Sequence, residues 1–173
     1  MTPSAPGAVT RLVTSSAAQT EALDHRVAAV VRAGDLLVLS GDLGAGKTTL
    51  TRGLGAGLGV RGPVTSPTFV IARVHPSIRG GAALMHIDAY RLGGLAELED
   101  LDLETSLDAA VTVVEWGEGL AEGLAADRLE IRLTRTRGGE RPEQRTIELR
   151  PVGDRWRGVD LAALLAPPAP PTP

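Results

Sequence analysis

Residues 41–49 read Gly41-Asp42-Leu43-Gly44-Ala45-Gly46-Lys47-Thr48-Thr49 and contain a complete G-x-x-x-x-G-K-[ST] pattern. Each residue type has a chemical use. Glycines let the backbone wrap an anion without Cβ clashes, and the turned N–H groups form a nest reinforced by the helix that follows. Lys47 is a compact charge on a flexible stem. It can reach terminal phosphates where the planar fork of arginine fits less well. Thr48 offers a hydroxyl to Mg2+. The pattern predicts a nucleotide-phosphate site over 41–49 with Lys47 as a catalytic cation. The bland alternative is a glycine-rich turn carrying a surface lysine.

Composition sharpens this. Of the 18 basic residues, 17 are arginine and one, Lys47, is lysine. Heavy use of Ala, Gly, Arg and Pro explains the arginines, and the phosphate cradle explains the exception. Guanine-reading phosphate-loop proteins use an N-K-x-D motif. That motif needs a second lysine, which the chain lacks, so ATP is the expected nucleotide.

A phosphate loop needs acidic partners for metal and water. Asp88 ends the run LMHID and Glu115 ends VTVVE. Each follows apolar residues, so each is expected at the sheet edge that carries the loop. Either can equally cap the next turn, and which one touches the metal is open. Ser66-Pro67-Thr68 falls where such proteins place a segment sensing the γ-phosphate. Thr68 can approach metal or phosphate there, or the segment can be an ordinary proline-stiffened turn. His86 alternates with Asp88, so on a strand both share a face. It can bond within the site or pack. The acidic residues Glu97, Glu99, Asp100, Asp102 and Glu104 read as a solvated helical face.

The elements that position these residues alternate strand with helix. Residues 8–14 predict a strand, and Ser15 or Ser16 caps a helix running to about Ala33, where Gly34 stops it. Leu36–Leu39 is a continuous apolar run, as expected of a strand covered on both faces. A helix is expected over 47–58, strands over 69–74, 84–87 and 111–114, and short helices over 94–110. Residues 129–134 and 147–149 alternate apolar with polar, predicting an antiparallel hairpin around a 135–144 loop. The expected architecture is a three-layer α/β phosphate-loop NTPase fold. Its central sheet is mostly parallel and ends in a C-terminal antiparallel hairpin.

GDLGAGKTTL at 41–50, SPTF at 66–69, HIDAYRL at 86–92 and VEW at 114–116 occur in this order. Together they resemble the bacterial TsaE family of tRNA threonylcarbamoyladenosine biosynthesis, over about residues 15–135. The resemblance implies a Mg2+-dependent ATPase, weak alone and stimulated by partners. It works with the TsaB and TsaD proteins, which transfer the threonylcarbamoyl group to tRNA, and ATP hydrolysis resets that complex. By analogy Thr48 and Glu115 hold Mg2+, and Asp88 positions water near the γ-phosphate or supports the metal. Trp116 couples nucleotide state to partner contact, and adenine lies near Ser15–Thr20, with Gly138–Arg141 assisting. Three of the chain's four aromatics, Phe69, Tyr90 and Trp116, fall inside these motifs, which favours a site role over simple packing.

The whole chain is consistent with this reading. Its 173 residues predict one domain over 1–165 and a Pro-rich disordered tail over 166–173. Zero cysteines exclude disulfides and thiolate metal sites and fit a reducing, cytoplasmic setting. No apolar run spans a membrane. A net charge of −3 supplies little tRNA-binding surface, so tRNA is reached only through protein partners. The rival reading is a small-molecule phosphotransferase, with Arg135, Arg137 and Arg141 as a short lid.

Overall fold

The computed structural model describes residues 7–67, 69–100, 107–136 and 143–165. The expectations for Thr68, the Gly138–Arg141 loop and the 166–173 tail lie outside the described residues. The strands are β1 (Thr10–Thr14), β2 (Leu36–Ser40), β3 (Ala72–His75), β4 (Ala83–Asp88), β5 (Ala110–Glu115), β6 (Arg128–Arg135) and β7 (Arg145–Val152). The helices are α1 (Ala17–Val30), α2 (Lys47–Leu58), α3 (Leu95–Glu99) and α4 (Leu161–Leu165). Among the described residues no helix is long and apolar enough to cross a membrane.

Local chemistry sets the element ends. Ser16 caps α1, its hydroxyl accepting from Gln19 N at 3.2 Å. The helix stops at Val30, three residues before the expected end, because Val31 is already extended (φ −80°, ψ 153°). Phe69 and Val70 do not extend β3 as expected. Val70 N and Ile71 N both donate to Pro67 O, at 2.9 and 2.7 Å, and Ile71 adopts φ 64°, so the chain turns before it pairs.

The strand order is β1-β7-β6-β2-β5-β4-β3. β2 pairs in parallel with β5 and β6, and β4 pairs in parallel with β5. The β1–β7, β6–β7 and β3–β4 ladders are antiparallel. The expectation of a mostly parallel sheet is therefore corrected: the fold is mixed α/β, with parallel pairing confined to β6-β2-β5-β4. The reason is connection length. Only seven residues join β3 to β4, too few for a parallel crossover. The expected hairpin is present as β6–β7.

Strand alternation gives two apolar faces. Leu37, Leu39, Leu84, Val111, Val113 and Ile131 pack under Leu23 and Val27 of α1, Leu50 and Leu54 of α2, and Leu161 and Leu164 of α4. Leu36, Val38, Met85, Ile87 and Val114 form the opposite face, covered by Leu98 of α3, Ala121 and partly buried Leu95. His86 and Asp88 follow Leu84 in register, and Glu115 follows Val113, so all three project toward α2.

α1 and α2 meet at glycines. A Cβ at Gly53 would overlap Asp24, and one at Gly57 would overlap Ala28 Cβ. The price of this close approach falls on Asp24: it is fully buried, and among the described residues neither carboxyl oxygen has a hydrogen-bond partner. Burial, with Glu21 adding repulsion, pushes its carboxyl up to about 8. The sheet side of α1 is pinned by Arg155, whose Nε and Nη2 donate to Asp35 Oδ1 and Oδ2 at 2.7 Å each, while Nη2 also reaches Val30 O at 2.9 Å.

Two outcomes are expected. Gly57→Ala gains about 1 kcal/mol of helix propensity but overpacks against Ala28 at a cost of about 1–3 kcal/mol. Its urea midpoint should fall, and a rise would show that the helices part freely. Asp24 keeps its proton in the folded chain and releases it on unfolding above its ordinary value of 3.8. Its contribution to stability is therefore complete below about pH 4 and lost as pH rises to about 8, at up to about 1.4 kcal/mol per pH unit. Urea unfolding from pH 5 to 8 should show this decline in the native chain and a flatter profile in Asp24→Asn. Equal slopes would assign the decline to other groups.

Candidate functional site

The loop between β2 and α2 is held open by backbone geometry. Gly41, Gly44 and Gly46 have φ 139°, 76° and 111°, values that L-residues with a Cβ rarely adopt. At Gly41 a Cβ would also collide with Leu133 O, so the loop rests directly on β6. Gly46 begins α2 and no side chain caps that end, which leaves its first N–H groups for another acceptor. Arg145 Nε on β7 donates to Ala45 O at 3.1 Å. A trans peptide sets C=O and N–H on opposite sides, so this anchor turns the Gly46 N–H the other way.

Lys47 is only 5% exposed. Its Nζ donates to Gly41 O at 2.7 Å and Asp42 O at 2.9 Å, and lies 3.7 Å from the centroid of the Trp116 ring. Burial pulls its pKa below the usual lysine value, while Glu115, Asp42 and Asp88 pull it back up. Trp116 reaches this position through a positive φ of 60° immediately after β5, with its N–H donating to Leu39 O at 3.0 Å. Tyr90 packs on the indole, with centroids 5.1 Å apart.

Glu115 is held by three side chains. Its Oε2 accepts from Thr48 Oγ1 at 3.0 Å, and its Oε1 lies 3.2 Å from Thr51 Oγ1 and 2.7 Å from His86 Nε2. Asp88 pairs with Glu115 in the β4–β5 register. Its Oδ1 accepts from Tyr90 N at 3.1 Å and its Oδ2 from Ser66 Oγ at 3.2 Å. Asp88 thus caps the 3-10 turn Ala89–Arg91 while facing the site, so the two readings of this residue coexist.

These groups line one cleft of about 450 Å3, walled by Leu43, Gly44, Gly46, Lys47, Thr48, Thr49, Ser66, Asp88, Tyr90, Glu115 and Trp116. Trp116 also lines an adjoining cleft of about 410 Å3 with Gly41, Asp42 and Arg132. Of the expected residues, Ala45 is fully buried and offers its backbone alone. Thr20 is not brought in. It is 5% exposed, and its hydroxyl is engaged by Thr14 Oγ1 at 2.9 Å and Ser16 O at 3.3 Å. Sequence reasoning missed Thr51 and Arg145. Thr51 lies one helical turn after Lys47, a spacing that could have flagged it. Arg145 approaches from a strand 100 residues away and carries no local signal.

Among the described residues no group of three or more His, Cys, Asp or Glu side chains could hold a metal. The oxygen set of Thr48, Glu115 and Asp88 instead suits Mg2+, which keeps waters and binds through one or two carboxylates together with phosphate oxygens.

The family model described as "Threonylcarbamoyl adenosine biosynthesis protein TsaE" matches residues 14–147. A Streptomyces coelicolor protein named tRNA threonylcarbamoyladenosine biosynthesis protein TsaE is 60% identical over 143 residues, covering 82% of this chain and 97% of the relative. A Bacillus subtilis protein of the same name is 40% identical over 139 residues, covering 80% and 83%. The crystal structure of Bacillus subtilis YdiB superposes with a TM-score of 0.68 at 34% identity, covering 87% of this chain and 90% of that one. With its sequence matched from β1 into β7, the chain belongs to the TsaE family of threonylcarbamoyl adenosine biosynthesis proteins.

Proposed function

We propose that this chain is a Mg2+-dependent ATPase with a phosphate-loop NTPase fold. It serves tRNA threonylcarbamoyladenosine modification by resetting a complex of TsaB and TsaD proteins in the cytoplasm. The observation that carries the reading is convergence. The Lys47 ammonium, the Thr48 hydroxyl and the Asp88 and Glu115 carboxylates meet in one cleft at the uncapped start of α2.

The roles follow from the chemistry of the groups. The N–H groups of the glycine loop and the start of α2 receive phosphate oxygens. Lys47 exchanges its carbonyl partners for phosphate and offsets negative charge. Thr48 and Glu115 hold Mg2+, with Asp88 supporting it or orienting water. When bound, the metal neutralises charge on the phosphates. Trp116, in contact with both Lys47 and Tyr90, links the nucleotide to a surface bearing Leu43, Phe69 and Tyr90, which are 89%, 88% and 66% exposed. A surface of that kind fits a protein partner, and tRNA is reached through it.

Lys47→Ala should abolish tight ATP binding in a calorimetric titration, and Lys47→Arg should not restore it. Unchanged affinity would sink the site assignment. The decisive experiment for the function is co-purification with TsaB and TsaD, with and without ATP, followed by an assay of tRNA modification. In that system Trp116→Ala should lower partner-stimulated hydrolysis at least tenfold, about 1.4 kcal/mol, while changing ATP affinity less. The reverse ordering removes the coupling role.

A further inference from the structure

We infer that His86 is a positioning residue for Glu115: its imidazole holds one carboxylate oxygen so that the other stays beside Thr48 as the oxygen offered to the metal. The inference rests on the nucleotide site proposed above.

His86 is fully buried on the α2 side of β4, in a strand position flanked by Leu84 and next to Val113 across the β4–β5 ladder. An apolar residue would fill such a place without burying a polar ring atom. The imidazole does bury one: its Nδ1 has no hydrogen-bond partner among the described residues. Burying an unpaired polar atom is costly. What the ring contributes in return is Nε2, 2.7 Å from Glu115 Oε1. A carboxylate accepts and does not donate, so Nε2 is the protonated nitrogen.

This contact divides the two oxygens of Glu115. Oε1 faces His86 and Thr51, at 2.7 and 3.2 Å, while Oε2 accepts from Thr48, at 3.0 Å. The Thr51 hydroxyl has a second acceptor, Lys47 O at 3.0 Å, and a single hydrogen to give. His86 is then the donor that fixes Oε1 whichever way Thr51 turns. Released from it, the carboxylate plane can turn about its final bond, and no oxygen is then held at one angle beside Thr48. Groups that orient a metal-binding side chain without touching the metal commonly govern metal affinity by about 10–100-fold.

The test uses the whole chain with Mn2+ as a paramagnetic stand-in for Mg2+. Mn2+ uptake by the ADP-saturated protein is read by electron paramagnetic resonance, and ADP affinity in EDTA by calorimetry. His86→Leu should weaken Mn2+ uptake about tenfold or more and leave metal-free ADP affinity within about twofold of the native chain. His86→Gln, whose longer amide can donate to Oε1, should recover most of the loss, and the shorter His86→Asn should not. If His86→Leu fails to fold by circular dichroism, the Gln and Asn variants carry the same comparison. Native-like Mn2+ uptake in the variants lacking the donor overturns the positioning role. So does a parallel loss of metal-free ADP affinity, which marks simple packing. A native chain that takes up no Mn2+ with ADP instead overturns the nucleotide site, and this inference with it.

Discussion

A single ammonium group, taken almost out of water, organises the working end of this protein. Burying a cation costs several kcal/mol unless partners replace its hydration. Around Lys47 those partners are two loop carbonyls and the face of an indole. The carbonyls of Gly41 and Asp42 can face Lys47 because the intervening backbone turns through glycine conformations. The indole reaches it because β5 ends in a residue of positive φ. A non-glycine residue held there costs about 1–3 kcal/mol, which is reasonable only where the ring is needed. Every partner of Lys47 is also replaceable. Carbonyls and a π-face hold a cation without neutralising it, and an arriving phosphate does neutralise it.

The acids are arranged on the opposite principle. Glu115 is surrounded by donors from two elements: Thr48 and Thr51 on α2, and His86 on β4. Asp88 is tied to the backbone of its own turn and to Ser66. The cation is thus met by neutral acceptors and a ring face, and the carboxylates by hydrogen-bond donors. On the function proposed above, that arrangement sets the carboxylates in place before a nucleotide arrives.

The glycine loop, both helices around it and the buried runs of β2 and β5 were legible from the chain alone, because each depends on local pattern. Gly41 to Thr48 is a contiguous signal, and Leu36–Leu39 is apolar at every position, as burial on two faces demands. The sheet's edges were not legible. β1 and β3 are antiparallel because of connection length and the pairing of distant strands, which alternation does not encode. Thr20 was implied by the family resemblance alone. Its hydroxyl is spent on Thr14, a contact visible only once β1 and α1 are packed. Arg145 escaped for the same reason, since its partner Ala45 is adjacent in space and remote in sequence. Asp24 shows the limit most clearly: an unpartnered buried acid contradicts any local expectation, and only the glycine-mediated approach of α2 explains its burial.

The resting place of the glycine loop has a consequence for biosynthesis. The loop and its strand are translated well before Leu133 and Arg145, yet they lean on both. β2 pairs with β6 along one edge and β5 along the other. A nascent chain that has extended only through β5 leaves the β6-facing edge of β2 without its native partner. The floor beneath Gly41 and the anchor on Ala45 are then still inside or behind the ribosome. The geometry of the glycine loop is therefore acquired only once β6 and β7 are made, long after the motif that announces it.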